Sequence, residues 1–375
     1  MTMPDAMQAA SPLQRLKLYI DQNERHVTAI AFAFGFMFDV ITAERIDSWL
    51  LIAQQVAYLA IITAILLQAF FAQGEPAPDP AGLHLFRRLY SDYHTLIVHF
   101  LLGSLLSLYT IFFFKSSSLF TSFGFLGVLV TLLVANESRR FKALGLSIRF
   151  ALFSICLLSF AAGVVPVFIG SVGVLVFMLS MLVACIPVYF IHRHIRTRAP
   201  ERQAQATKQL LLPFGLVLAL FLVLYLFRLI PPVPLSIPLI GVYHHVERTQ
   251  EDYLLSHERP AWRVWHNGDQ KFLAQPGDRV FVFFRIFSPA RFADQVTLLW
   301  FWQDGSRGWT LQDSIPINIV GGRKDGFRGY GVKANYQPGD WKLQVMTNDG
   351  REIGRIYFEI ELVPEAPRNF KIDVH

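Results

Sequence analysis

"DWKLQVMTNDGREIGRIYFEIEL", residues 340–362, alternates apolar and polar side chains on both sides of an acidic-glycine turn. A period of two is typical of half-buried β-strands, and the Asn-Asp-Gly turn is a hairpin signal. The predicted inward side chains are Trp341, Leu343, Val345, Ile356, Phe358, Ile360 and Leu362; Arg355, Tyr357, Glu359 and Glu361 face the other way. This stretch therefore predicts that the last third of the chain is built from β-strands.

Further strand candidates precede this hairpin. They are "RVFVFFRIF" (279–287), "QVTLLWFWQ" (295–303), "WTLQDSIPINIV" (309–320) and "FRGYGVKAN" (327–335), with "AWRVWHN" (261–267) as an outlying candidate. Short strands without a helical pattern favour an all-β, antiparallel, Ig-like sandwich, which we place at residues 248–363. A proline-rich neck (231–247) would precede it, and a tail (364–375) would follow. The histidine-rich segment 243–260 is interpreted as a solvated juxtamembrane helix, since its spacing fits no metal-binding pattern.

The first two thirds of the chain contain seven apolar runs long enough to cross a membrane as helices. They cover residues 27–43, 48–72, 95–114, 119–136, 145–169, 171–191 and 210–230. Residues 1–26 are polar and charged, so we expect a cytoplasmic amphipathic leader and no cleavable signal peptide. The fold-class prediction is a polytopic α-helical membrane domain (27–230) followed by the extracytoplasmic sandwich.

The distribution of basic residues predicts the orientation of these spans. One side of the predicted membrane holds Arg15, Lys17, Arg25, Arg87, Arg88, Arg139, Arg140, Lys142, Arg193, Arg196, Arg198, Arg202 and Lys208, whereas the other holds Arg45, Lys115 and Arg228. We therefore expect a multi-pass protein of the bacterial inner membrane, with a cytoplasmic N-terminus and a periplasmic C-terminal domain. The excess positive charge lies entirely within residues 1–239, so it indicates membrane topology and not nucleic-acid binding.

"YGVKANYQPGDWKLQVMTNDGREIGRIYFEI", residues 330–360, resembles the ending of a bacterial domain family of unknown function. Members of that family finish with a Pro-Gly-x-Trp strand, an acidic-glycine turn and a closing strand that contains Phe. The apolar part of the chain similarly resembles an uncharacterised seven-span bacterial membrane domain that is fused in front of it. The resemblance implies a bacterial inner-membrane setting and no particular activity.

Aromatic and basic residues form the first candidate site. Exposed indole rings stack on sugars and other flat ligands, and arginine clamps anionic groups. The ligand-binding candidates are Trp300, Trp302, Trp309, Arg323, Lys324, Phe327, Arg328 and Tyr330. In the alternative interpretation, the tryptophans fill the core of the sandwich and the glycine-rich loop at 321–331 is a solvated turn.

Polar residues at membrane depth form the second candidate set: Asp39, Gln54, Gln55 and Arg228. We expect Asp39 to pair with Arg228 near the outer leaflet; a ligand or proton pocket is the alternative. His99 lies near the inner end of its span and is expected to snorkel towards water.

The sequence contains no Gly-x-Ser-x-Gly, phosphate-binding glycine loop or His-Glu-x-x-His motif, so it predicts no cofactor and no metal. The favoured interpretation is a periplasmic sandwich that binds or senses a cell-envelope ligand or partner. Besides membrane lipids, the partners considered are an envelope glycan, an anionic lipid and an envelope protein. A small-molecule or lipid transporter with an outer capture or gating domain is the alternative, and an enzyme ranks third. The sequence does not indicate an oligomeric state.

Overall fold

The computed structural model describes residues 46–73, 85–116, 119–137, 145–250, 252–263, 265–289, 292–321 and 326–375. Its helices are α1 (Trp49–Phe71), α2 (Leu85–Lys115), α3 (Leu119–Glu137), α4 (Leu146–Ile169), α5 (Val174–Arg198), α6 (Gln203–Ala206) and α7 (Leu212–Leu226). A 3-10 turn (Pro200–Arg202) and a π-helical turn (Thr207–Leu211) flank α6, so a continuous helical segment runs from Pro200 to Leu226.

Five helical segments in the described residues are long and apolar enough to cross a membrane. They are Trp49–Phe71, Ile97–Lys115, Leu146–Ile169, Val174–Arg198 and Pro200–Leu226, and each coincides with a predicted span. Within α3, Gly124–Asn136 forms a shorter apolar helix that lies inside the predicted span at 119–136. The predicted span at 27–43 lies outside the described residues.

The interior of the helical bundle is formed mainly by the Ile97–Lys115 part of α2 and by α4, in which most residues are buried. His99 is buried there and does not snorkel as the sequence suggested. Its Nδ1 lies 2.8 Å from the side-chain oxygen of Asn136, whose amide donates to the His99 carbonyl (2.9 Å). Asn136 supplies a hydrogen-bonding partner inside the bundle, which removes the need for His99 to reach water.

The rest of the described chain forms a β domain of three sheets. The strands are β1 (Ser236–Tyr243), β2 (His245–Arg248), β3 (Tyr253–His257), β4 (Lys271–Ala274), β5 (Val280–Phe287), β6 (Ala293–Asp304), β7 (Gly308–Val320), β8 (Phe327–Lys333), β9 (Gly339–Thr347), β10 (Glu352–Leu362) and β11 (Lys371–Val374). The main sheet has the order β4-β10-β9-β6-β7, the middle sheet β1-β5-β8 and the cover sheet β11-β3-β2. All pairs are antiparallel except β4 with β10, which is parallel.

The principal core lies between the main and middle sheets and contains the fully buried Trp300 and Trp341. A second, smaller core contains Tyr243 and Phe283 from the middle sheet and Tyr253 and Leu255 from the cover sheet. The predicted alternation in 340–362 is confirmed up to Ile360, because its inward residues as far as Ile360 fill the principal core. The inward position predicted for Leu362 is wrong, because this residue lies at the end of β10 and is 59% exposed. A β-rich domain with a buried aromatic core therefore follows the helices, with one sheet more than a simple sandwich.

The juxtamembrane helix expected at 243–260 is wrong, because this segment forms β2 and β3. His244 and His257 in this segment are buried, whereas the polar residues of β2 are exposed. The β domain begins at Ser236, within the segment interpreted as a neck, and the segment interpreted as a tail contributes β11. Both additions depend on pairing between residues far apart in the sequence, such as Lys371 with His257.

Candidate functional site

Arg351, directly after the β9–β10 turn, joins the β domain to the end of α7. Its side chain is 5% exposed, and its guanidinium carbon lies 3.4 Å from the centre of the Tyr225 ring. Nη1 donates to the carbonyl of Ile230 (2.6 Å) and Nη2 to that of Tyr225 (3.0 Å), while Nε donates to Asp349 (2.8 Å). All three guanidinium nitrogens are therefore hydrogen-bonded, two of them to carbonyl groups that follow or end the last membrane helix.

Asp349 completes this contact from within the turn. Its carboxylate accepts hydrogen bonds from the hydroxyls of Thr347 (2.5 Å) and Tyr225 (3.0 Å) as well as from Arg351. Burial alone would raise the pKa of Asp349, but these hydrogen bonds and the positive charge of Arg351 hold the pKa below its ordinary value. Asp349 therefore stays ionised, and the two opposite charges are paired.

A second contact connects the start of β6 to the α4–α5 turn. Ala293 N donates to the carbonyl of Gly170 (3.0 Å), and Val172 N donates to the carboxylate of Asp294 (3.2 Å). Asn348 Nδ2 donates to the other oxygen of Asp294 (3.2 Å), which ties the two contacts together. We call these two contacts the junction; they attach the β domain to α5 and α7 at two separate points.

A cavity of about 30 Å³ lies under the junction, with Pro166, Phe177, Tyr225, Pro232 and Arg351 among its lining residues. This volume is comparable to that of a single water molecule. The junction is therefore close-packed, and this cavity is too small for an organic substrate.

The outer face of the main sheet, which points away from the principal core, carries a group of aromatic side chains around a lysine. The register places Phe301 of β6 and Tyr357 of β10 on either side of Lys342 of β9. Lys342 Nζ lies 4.3 Å from the centre of the Phe301 ring and 5.0 Å from that of Trp309. The rings of Trp309 and Tyr357 lie 5.8 Å apart at 59°. We call Phe301, Trp309, Lys342 and Tyr357 the aromatic row.

Two members of the aromatic row are accessible to solvent, because Trp309 is 38% exposed and Tyr357 is 40% exposed, whereas Phe301 is half-buried and Lys342 is buried. Burial among the rings lowers the pKa of Lys342, and the nearby charge of Arg355 lowers it further. Arg355 itself is paired with Glu352 and donates to the hydroxyl of Tyr357 (2.9 Å). The row thus combines two exposed, flat apolar rings with a buried ammonium group that faces rings, an arrangement suited to stacking.

The structure separates the ligand-binding residues suggested by the sequence. Trp300 is fully buried, so it fills the core as in the alternative interpretation, and Trp302 is half-buried with its indole N–H bonded to the carbonyl of Pro338 (3.1 Å). Trp309 belongs to the aromatic row. Arg323 and Lys324 lie outside the described residues.

The remaining candidates, Phe327, Arg328 and Tyr330, lie on β8 in the middle sheet. Arg328 is 3.7 Å from a carboxylate oxygen of Asp252 and 5.6 Å from the Tyr253 ring. These contacts connect β8 to the cover sheet, and Tyr330 faces the same sheet through Tyr253, whereas Phe327 packs against the principal core. None of the three belongs to the aromatic row.

The polar residues suggested at membrane depth also have different environments. Gln55 is buried and donates to the carbonyl of Leu51 (3.2 Å), whereas Gln54 is exposed and donates to the hydroxyl of Tyr58 (3.1 Å). Arg228 is exposed, has a left-handed backbone (φ 59°) and lies against Gly350. Asp39 is outside the described residues, so its pairing with Arg228 stays a prediction, as does the transporter alternative.

The histidine-rich segment contributes a buried cluster. His244 stacks on Phe272 with ring centres 4.0 Å apart, and its Nε2 lies 3.4 Å from Glu258 and 3.7 Å from Asp269. Burial is the main reason that the pKa of His244 falls to about 4 and that of Asp269 rises to about 7. Within the described ranges, no three His, Cys, Asp or Glu residues are arranged to hold a metal ion.

The most informative residues of the site were not among the sequence candidates. Lys342 and Tyr357 lie on the outward side of the alternating strands, but only the cross-strand register brings them beside Phe301. Arg351 and Asp349 belong to the turn that was recognised as a hairpin signal. An arginine directly after such a turn gave no sign that it would be buried against a helix.

One family model, described as a protein of unknown function (DUF2914), matches residues 293–360. The matched segment contains the whole aromatic row and the residues that the β domain contributes to the junction. It covers well under half of the chain. No curated protein matches this sequence.

Three solved structures are similar to about a third of this chain. An immunoglobulin-like protein from Pseudomonas aeruginosa is 12% identical, with 32% of this chain and 96% of that chain covered and a TM-score of 0.20. A β-glucosidase from Listeria innocua in complex with glucose is 10% identical (31% and 16% covered, TM-score 0.19). A β-glucosidase involved in saponin metabolism from intestinal bacteria is 13% identical (32% and 20% covered, TM-score 0.19). The chain thus spans a fifth or less of the length of each β-glucosidase. At these TM-scores the similarity does not indicate an activity for this protein.

Proposed function

We propose that this protein is a seven-span bacterial inner-membrane protein whose periplasmic β domain binds a carbohydrate of the cell envelope on the aromatic row. The observation that carries the proposal is the pair of exposed rings, Trp309 and Tyr357, held 5.8 Å apart on a hydrogen-bonded sheet. Because the sheet and the junction fix the rings, a ligand would lose little free energy in ordering the site.

A carbohydrate fits the chemistry of the row better than a strongly charged ligand. The C–H faces of a sugar ring are flat and apolar and can stack on the exposed faces of Trp309 and Tyr357. Arg355 is already paired with Glu352, so it adds little attraction for an anion. The ligand we expect is therefore an uncharged or weakly charged glycan.

The periplasmic location is supported by the geometry of α5. This helix begins at Val174, beside the junction, and ends at Arg198, within the basic run that the sequence assigns to the cytoplasm. At a rise of 1.5 Å per residue, its 25 residues span about 37 Å, enough to cross the apolar part of a bilayer. The β domain and the basic run therefore lie at opposite ends of one membrane-length helix.

Calorimetric titration of the full chain in lipid nanodiscs with chitotetraose, a neutral glycan, tests the proposal. Two stacking rings contribute about 1–3 kcal/mol, so Trp309→Ala/Tyr357→Ala should weaken binding by about tenfold to 100-fold. The matched control is Trp262→Ala/Trp265→Ala, since these two rings are also exposed and lie 5.7 Å apart. Unchanged affinity in the first variant, or an equal loss in the control, would contradict the proposal.

A further inference from the structure

A larger cavity, of about 490 Å³, opens at the end of the β domain opposite the junction. Its walls are the β4–β5 turn (residues 275–279), Tyr336, and Leu362 with Val363 at the end of β10. Since β10 starts beside the junction and has 11 residues, the cavity lies about 35 Å from the helices. Its volume is within the range of small-molecule sites. We call it the distal pocket.

The charges around the distal pocket are not balanced. The Asp278 carboxylate accepts hydrogen bonds from the backbone N–H of Gln275 (2.8 Å) and from Arg368 (2.7 Å), so its charge is neutralised. Arg279 also lines the pocket and is exposed, and it makes no hydrogen bond or ion pair with any other residue in the described part of the chain. The uncompensated charge at this pocket is therefore the positive charge of Arg279.

The other walls are apolar or already hydrogen-bonded. Leu362 is 59% exposed beside Val363, and the Tyr336 hydroxyl donates to the carbonyl of Asp278 (3.0 Å), which fixes its ring against the turn. A ligand that fills this space would meet the guanidinium of Arg279, the hydrogen-bonded β4–β5 turn, and apolar surface from Tyr336, Leu362 and Val363.

We propose that the distal pocket binds a small organic carboxylate. The carboxylate would pair with the guanidinium of Arg279, which presents two parallel N–H donors, and the apolar body would pack against Leu362, Val363 and the Tyr336 ring. This site is separate from the aromatic row, and the proposal does not depend on glycan binding.

Calorimetric titration of the full chain in nanodiscs with benzoate, and with its neutral analogue benzamide, tests this assignment. We expect benzamide to bind at least about tenfold more weakly, because it lacks the charge that pairs with Arg279. Arg279→Gln should weaken benzoate binding by a similar factor, whereas Arg307→Gln, at an exposed turn, should not change it.

Trp309→Ala/Tyr357→Ala should also leave benzoate affinity unchanged, which separates this site from the aromatic row. Equal affinity for benzamide and benzoate, full affinity in Arg279→Gln, or no binding of benzoate up to about 10 mM would overturn the proposal.

Discussion

The junction and the aromatic row both place a cation against an aromatic ring, yet their surroundings differ. At the junction, Arg351 lies over Tyr225, is 5% exposed and donates to two carbonyl groups and a carboxylate. In the row, Lys342 lies over Phe301, but the neighbouring Trp309 and Tyr357 are each more than a third exposed. The cation is buried in both regions, 5% exposed for Arg351 and 9% for Lys342, but only the row has exposed aromatic rings beside it. The difference separates a contact that stabilises the protein from a surface that can bind a ligand.

The largest change in stability is expected when Arg351 is replaced. Arg351→Met would leave the buried carboxylate of Asp349 without its charge partner, so the free energy of unfolding should fall by about 3–5 kcal/mol. Thermal or denaturant unfolding of the full chain in detergent measures this change. Replacing Asp349 with Asn in the same variant should recover part of the loss, since the stranded charge is removed. Strictly additive losses would contradict a paired junction.

The His244 cluster sharpens the comparison, because its buried groups, unlike those of the junction, are shifted by burial towards their neutral forms. In the unfolded chain His244 is protonated below about pH 6.5, whereas in the folded chain it stays neutral until about pH 4. This group therefore lowers the free energy of unfolding as pH falls. Asp269, with a pKa raised from 3.8 to about 7, has the opposite effect, because the folded chain retains its proton as pH rises. The two contributions should cancel between about pH 4.5 and 6.

Asp269→Asn removes the contribution of Asp269, so the pH dependence that His244 contributes is no longer cancelled. The variant should lose about 3 kcal/mol of unfolding free energy as pH falls from 6.5 to 4, relative to the unchanged chain over the same range. Denaturant unfolding at several pH values gives the comparison. If the variant and the parent have parallel pH profiles, the pKa of Asp269 is not raised in the folded chain.

A smaller effect is expected at Gly350, in the turn between Asp349 and Arg351. Its φ of 74° is unfavourable for any residue with a Cβ, and that atom would lie 3.1 Å from the Arg228 guanidinium. Gly350→Ala should therefore lower stability by about 1–2 kcal/mol. Gly305→Ala is the matched control, because a Cβ there would have no neighbour within 4 Å. Equal stability of the two variants would mean that the turn tolerates a different backbone.

The smallest effect on stability is expected in the row. Trp309→Ala removes a ring from an open surface, so the free energy of unfolding should change by less than about 1 kcal/mol. Trp300→Ala, in the same sheet but fully buried, should cost about 3–5 kcal/mol. A large loss for Trp309 would indicate that the row is part of the fold and not an open site.

Much of the fold could be predicted because it depends on local patterns. Five apolar runs and the alternation in 340–362 define helices and strands without reference to the rest of the chain. The helix expected at 243–260 is wrong because His244, between β1 and β2, is buried beside acidic residues such as Asp269, which the local pattern does not reveal. Strand β11 was missed because only its partner β3, far away in the sequence, makes it a strand.

The site was less predictable for the same reason. The alternation placed Tyr357 on the outward side of its strand. Only the pairing of the strands shows that its ring lies beside Trp309 and Lys342. The composition of the chain could not distinguish Trp300 from Trp309, although one is buried and the other exposed. Cross-strand register and burial, neither of which is local, decided both questions.

Hydrogen–deuterium exchange of the full chain in nanodiscs, with and without chitotetraose, tests the central claim most directly. The account predicts slower exchange in the strand segments that carry the row, 299–303, 308–312, 340–344 and 355–359. The junction turn at 347–351 should exchange slowly in both conditions, because it is already closed. Protection confined to other surfaces, or the absence of any change on the main sheet at saturating ligand, would contradict the account.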